Sequence, residues 1–103
     1  MDSPITVKAA LLQALIRREG YGLDLIERIK KETRGEIAPH QGSVYPALRD
    51  LEDEKLVTSY EGPPLPERGG RPRRYYKLTA LGQKAALEQA RVVSSFFAVP
   101  ELA

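Results

Sequence analysis

Apolar positions recur at helical spacing through the first half of the chain. Ile5, Leu12, Leu15 and Ile16, with Leu11 beside them, mark one side of a segment from Ser3 to Glu19. Ser3 is a natural N-cap, Pro4 suits the first helical position, and Gly20 is a natural C-terminal stop. Leu25, Ile26 and Ile29 predict a second, short amphipathic helix over Leu23–Thr33, ended by Gly35. Asp24, Glu27, Arg28, Lys30, Lys31 and Glu32 lie mostly on its other side. Val44, Leu48 and Leu51 predict a third helix from about His40 to Lys55. Pro46 is tolerable there only in the first turn or so, where its missing N–H would be unpaired anyway. Ser43 as N-cap would make Pro46 the third helical residue.

The period then changes. Val57–Glu61 and Arg73–Leu78 are rich in β-formers, with Thr58, Tyr60, Tyr75 and Tyr76 among them. Between them, residues 62–72 hold half of the eight prolines together with Gly62, Gly69 and Gly70, which predicts a long hairpin loop rather than a tight turn. Thr79 is placed to cap a last helix from about Ala80 to Val99, ended by Pro100. The expected order is helix, helix, helix, strand, strand, helix. That makes the chain mainly α with a small β-hairpin, an α+β winged helix-turn-helix. Residues 1–79 form the winged unit and residues 80–103 a C-terminal helix.

A chain of 103 residues suits one small domain. It has no cysteine and one histidine, which excludes disulfide frameworks, zinc fingers, iron–sulfur clusters and cysteine nucleophiles together. Apolar runs fall far short of the ~18 residues of a membrane span. The start, residues 1–8, has neither the basic nor the long apolar region of a secretory signal. No glycine-rich phosphate loop and no histidine–carboxylate cluster is present, so no enzyme activity, cofactor or metal is expected.

Net charge is only +2, but it is unevenly spread. Arg68, Arg71, Arg73, Arg74 and Lys77 stand against Glu67 alone, so the segment Glu67–Lys77 carries +4 and the rest of the chain −2. Local clustering is what phosphate attraction requires, because salt screens charges beyond roughly 8–10 Å. The third predicted helix is polarised as well. It starts with His40, Gln41, Gly42 and Ser43, without an acid, and ends with Asp50, Glu52, Asp53 and Glu54. Acids at a helix C-terminus oppose its dipole, so helix stability does not explain them. In-helix pairs of Arg49 with Asp53 and Glu52 with Lys55 would hold them. A helix that enters a DNA groove by its N-terminus would keep them away from phosphate. Gln41 and Ser43 are types that hydrogen-bond base edges, and Ser43 serves equally as a cap. Tyr45 either reaches a phosphate or packs under the helix, and His40 either caps the helix or touches phosphate.

GSVYPALRDLEDEKLV, residues 42–57, followed by GGRPRRYYKLTALG, residues 69–82, resembles the PadR family of bacterial transcriptional regulators. The resembling features are a Gly-x-x-Tyr-Pro-x-Leu helix start, Leu-Glu further along, and an Arg-rich loop leading into Tyr-Tyr-x-Leu-Thr-x-x-Gly. YGLDLIERI after the first helix also matches, and the resemblance covers roughly residues 5–85. It implies a cytoplasmic bacterial regulator, usually a repressor, that binds double-stranded DNA as a homodimer. The helix near Gln41 would enter the major groove and the wing would touch backbone or minor groove. The DNA-contacting set is then His40, Gln41, Gly42, Ser43, Tyr45, Arg68, Arg71, Arg73, Arg74 and Lys77. One departure is Lys55, where the family commonly has glycine. A left-handed cap there would cost a lysine about 1 kcal/mol.

The last predicted helix has two apolar lines, Leu81, Ala85 and Val92 on one, and Leu87, Ala90, Val93 and Phe97 on the other, with Phe96 and Val99 near its end. One small core does not need both, so a second copy is expected to bury Leu87, Ala90, Val93, Phe96 and Phe97 in a two-fold dimer. Many members of the family respond to small-molecule effectors, and the resemblance implies such a partner without identifying it. A reading of a different class is a winged-helix protein–protein module, an antirepressor or co-regulator. The arginine-rich wing separates the two, because an adaptor has no reason to concentrate arginine there.

Overall fold

The computed structural model describes residues 6–97, with side chains through Ser95. Helix α1 spans Val7–Arg17, and its cap is Thr6, whose hydroxyl accepts from the Ala9 amide at 3.1 Å. Ser3, the cap expected from the sequence, lies with Pro4 and Ile5 outside the described residues. After Arg18 the chain is extended, and Gly20–Tyr21 forms a short strand, β1. Gly20 is therefore a strand residue and not the helix stop expected of it. α2 follows directly as Gly22–Glu32, and α3 spans Gln41–Asp53. Strands β2 (Val57–Pro64) and β3 (Pro72–Leu78) make the wing, and α4 runs Ala80–Phe97.

The architecture is the expected α+β winged helix with one strand more. The sheet is antiparallel in the order β1-β3-β2, with Tyr21 opposite Tyr75, Tyr75 opposite Tyr60, and Val57 opposite Leu78. A register irregularity separates Glu61 from Pro64, and a 3-10 turn at Pro66–Arg68 with left-handed Gly69 and Gly70 closes the wing tip. Pairing thus reaches further up the wing than the predicted loop of residues 62–72 allowed.

The core is apolar throughout. Leu11, Leu25, Val44, Leu48, Leu51 and Val57 are fully buried, joined by Tyr76 and Ala86, and no polar residue is buried among the described residues. Each such leucine contributes ~1.5–3 kcal/mol by leaving water. α4 lies on α1 in the opposite sense, because Gln13 donates to the Ala86 carbonyl and Gln89 to the Ala9 carbonyl, both at 2.9 Å. The cap at Thr79 is as expected. Its hydroxyl accepts from the Gly82 amide at 3.0 Å and donates to the Lys55 carbonyl at 2.7 Å.

α3 begins earlier than a Ser43 cap would put it. His40 is the cap residue, its side chain capping no backbone amide, and its carbonyl accepts from the Ser43 and Val44 amides. Ser43 is inside the helix and Pro46 is its sixth residue. Proline has no N–H, so the Gly42 carbonyl lacks its usual partner one turn on. At the far end, Leu56 donates to Leu51 and Lys55 to Glu52, with Lys55 at φ 65. This is a Schellman closure with lysine in the left-handed position. Lys55→Gly is expected to raise stability by about 1 kcal/mol, or roughly 4–8 °C in melting temperature. A calorimetric scan showing no rise would mean the lysine side chain contributes packing that offsets its strain.

Candidate nucleic-acid interface

The buried side of α3 is Val44, Ala47, Leu48 and Leu51. Its period leaves Gln41, Gly42, Tyr45, Pro46 and Arg49 outward, and all five are exposed. Ser43 is half-buried, its hydroxyl 3.1 Å from the His40 ring Nε2. The helix therefore presents an acid-free outer line as far as Arg49. Arg49 joins the candidate DNA contacts, because the pair with Asp53 expected to occupy it is not formed among the described residues. The expected Glu52–Lys55 pair is not formed there either; the acids are held by other elements. Glu54 pairs with Lys8, whose ammonium is thereby held above its ordinary pKa, and Glu52 accepts from the Ser59 hydroxyl at 2.6 Å.

Strand alternation divides the wing into two faces. Val57, Tyr76 and Leu78 face the core, and Arg74 shares that face further out, bonded to Ser59 Oγ at 2.9 Å and 3.6 Å from Glu61. The other face carries a row of tyrosines. Tyr21 meets Tyr75 edge-on at 5.5 Å and 80°, and Tyr75 stacks on Tyr60 at 5.6 Å and 16°. The Arg73 guanidinium lies 4.3 Å above the Tyr21 ring, and Lys77 is 5.9 Å from the Tyr60 ring. Such cation–ring contacts are worth about 0.5–2 kcal/mol. Tyr60 donates its hydroxyl to Glu19, which raises its pKa above the usual phenol value.

The sheet, α2 and α3 meet at one cleft of about 220 Å³, lined by Tyr21, Gly22, Leu23, Tyr45, Arg68, Pro72, Arg73 and Arg74. It brings Tyr45 of α3 together with three of the five wing bases. Arg71 stands apart at the tip, its Nε donating to the Arg68 carbonyl at 3.1 Å, and exposed Lys77 stands at the wing's base. His40, Gln41, Gly42 and Ser43 are outside the cleft lining, on the first turn of α3. Arg68 Nε and Arg73 Nε are shielded from solvent without a hydrogen-bond partner among the described residues. A shielded, unpaired donor costs about 1–3 kcal/mol, more when charged, unless a ligand completes it. No group of histidines, cysteines and acids able to hold a metal occurs among the described residues. No helix there is long and apolar enough to cross a membrane.

On α4, Ala86 and Gln89 meet α1, while Gly82 lies against Leu56. Ala90 and Val93 are half-buried and Leu87 is 62% exposed, whereas the side chains of Phe96 and Phe97, like Val99 and Pro100, lie outside the described residues. Leu81 and Val92, 54% and 49% exposed, occupy the opposite flank.

A model of the transcriptional regulator PadR-like family matches residues 11–88. The transcriptional regulator YqjI of Escherichia coli is 32% identical over 65 residues, which are 63% of this chain and 29% of that protein. The matched stretch is thus under a third of that regulator's length. Among solved structures, a PadR-like transcription factor from Bacteroides fragilis superposes with a TM-score of 0.73 at 26% identity, over 87% of this chain and 82% of that one. The circadian clock associated protein Pex from Anabaena superposes at 0.69 with 29% identity, over 89% and 80%.

Proposed function

The chain belongs to the PadR-like family of transcriptional regulators, and on that footing we propose that it is a sequence-specific repressor that binds a near-palindromic operator as a homodimer. Membership makes it a regulator of transcription and not an enzyme. The observation that carries the DNA reading is the cleft, where Tyr45 of α3 and Arg68, Arg73 and Arg74 of the wing converge beside the head of α2. α3 enters the major groove by its acid-free end, with Gln41 reading a base edge. Arg71, at the wing tip, reaches backbone or minor groove.

Dimerisation uses the α1–α4 side. Because the two helices run oppositely, turning from their contact line toward Ala10 and Ala14 on α1 is turning toward Ala90 and Leu87 on α4. On that side of α1 an apolar groove of about 100 Å³ is lined by Ala10, Gln13, Ala14, Ile29, Glu32, Thr33 and Ile37, and exposed Leu87 lies on the same side of α4. Leu87→Glu with Ala90→Glu is therefore expected to give monomers in sedimentation. A dimer that persists moves the interface elsewhere.

Selection of bound duplexes from a random pool tests both parts of this proposal. The expected yield is a two-fold site with half-sites roughly 34 Å apart, one helical turn. Gln41→Ala should relax preference at one base position per half-site, by roughly 1–3 kcal/mol. An enriched pool without symmetry would remove the dimer, and an unchanged preference would remove Gln41 as reader.

A further inference from the structure

We propose that the cleft between the head of α2 and the outer part of the wing seats one phosphodiester of the DNA backbone, with Arg73 fixed at its wall by the Tyr21 ring. This rests on the DNA-binding reading above and deepens it. The cleft exists because β1 is only two residues long. Past the Tyr21–Tyr75 pair, the edge of β3 at Pro72–Arg74 has no strand beside it and faces the first turn of α2 instead.

The chemistry of the lining selects the ligand. Its polar side chains are Arg68, Arg73, Arg74 and the hydroxyls of Tyr21 and Tyr45, without a carboxylate or an amide. A guanine edge also offers acceptors, but it is uncharged and presents them in one plane, whereas a phosphate carries the charge that three converging guanidinium groups meet from several sides. Phosphate oxygens are acceptors only. Arg74 is already engaged by Ser59 and Glu61, so the unanswered donors belong to Arg68 and Arg73, whose Nε atoms are both shielded and unpartnered.

Arg73 is held before any ligand arrives. Its guanidinium sits on Tyr21, Tyr21 is braced by the edge of Tyr75, Tyr75 by Tyr60, and the Tyr60 hydroxyl is tied to Glu19, next to β1. Gly62 leaves room for this row, since a Cβ there would lie 3.2 Å from Tyr75 Cε2. Gly22 leaves room for Tyr45, whose hydroxyl would be 2.6 Å from a Cβ at that position. Tyr21 is thus a positioning residue, acting through Arg73.

The test is a scan of single neutral methylphosphonates along a selected operator, with wild type, Arg73→Ala, Tyr21→Phe and Tyr21→Leu. In wild type one position per half-site should lose about tenfold more affinity than its neighbours. In Arg73→Ala that penalty should vanish while penalties elsewhere persist, and the salt slope should fall by about 0.9 per half-site. Tyr21→Phe keeps the ring and should keep the penalty at that position, with no more than the small loss of one lining hydroxyl. Tyr21→Leu should lose about fivefold and shrink the penalty at the same position only. Because Tyr21→Leu also removes packing, the Arg73→Ala profile decides if that variant unfolds. An Arg73→Ala loss spread evenly over all positions overturns the seat and leaves DNA binding standing. Inorganic phosphate that raises the melting temperature of wild type but not of Arg73→Ala, with no sensitive methylphosphonate position, assigns the cleft to a free anion and overturns the backbone seat. Wild type that binds no duplex at all overturns both.

Discussion

Gly82→Ala is expected to destabilise the protein by about 3 kcal/mol or more, lowering the melting temperature by roughly 12–24 °C. A Cβ at residue 82 would stand 1.9 Å from the Leu56 carbonyl oxygen and 2.9 Å from its carbon. The obstacle is backbone, and it is pinned. Leu56 donates its own amide to Leu51, and its carbonyl accepts from the Thr79 amide at 3.0 Å. Gly82 in turn donates to Thr79 Oγ1. The end of α3, the start of β2 and the first turn of α4 therefore converge on a point where only glycine fits. A methyl group has to push α4 off the winged unit, and with it the surface assigned to the dimer. Thermal unfolding by circular dichroism reads the effect. A loss below 1 kcal/mol would show that this junction yields easily.

Arg28→Ala should cost about 3 kcal/mol, a magnitude unusual for a charged residue on an amphipathic helix. Its guanidinium donates to the carbonyls of Ala14, Arg18 and Glu19 at 3.0–3.2 Å and to Asp24 Oδ2 at 2.8 Å. Its side chain is 12% exposed and that of Asp24 21%. Removing it strands the carbonyls at the end of α1 and leaves Asp24 without its partner. β1 loses its support at the same time, because Arg28 lies over Gly20, where a Cβ would be 1.9 Å from Nη2. Arg28→Lys should recover less than half of the loss, since one ammonium cannot replace the planar fork. Urea titration measures both variants; full recovery by lysine would reduce the clamp to simple charge.

These two residues mark where sequence patterns stop short. The helices, the wing strands and the Thr79 cap are local, and each leaves a local trace in residue type or spacing. The arginine cluster is legible for the same reason, whereas the left-handed strain at Lys55 is legible only through the resemblance to the family. Gly82 reads locally as a weak residue inside a helix; its reason is the Leu56 carbonyl, distant in sequence. Arg28 reads as one more charge on the wet side of α2, because nothing local shows that α1 ends against it. β1 escapes sequence patterns because two residues cannot display an alternation, and Gly20 suits a helix stop equally well. Without β1 the tyrosine row, whose members come from three strands, stays hidden, and with it the cleft. The start of α3 falls where the expected span from about His40 begins, although Ser43 is a better capping residue than His40 in isolation. Pro46 also favours a later start, but the helix tolerates it at its sixth position.

The salt dependence of duplex DNA affinity tests the central claim most directly. A dimer with two basic wings, each meeting at least two phosphates, should give a log–log slope of about −3.6 or steeper. Arg68→Ala with Arg73→Ala should flatten it by about 0.9 for each phosphate no longer neutralised, with similar losses on every sequence. Affinity that is absent, or unmoved by salt and by removal of both arginines, would contradict the assignment of the wing and α3 to DNA.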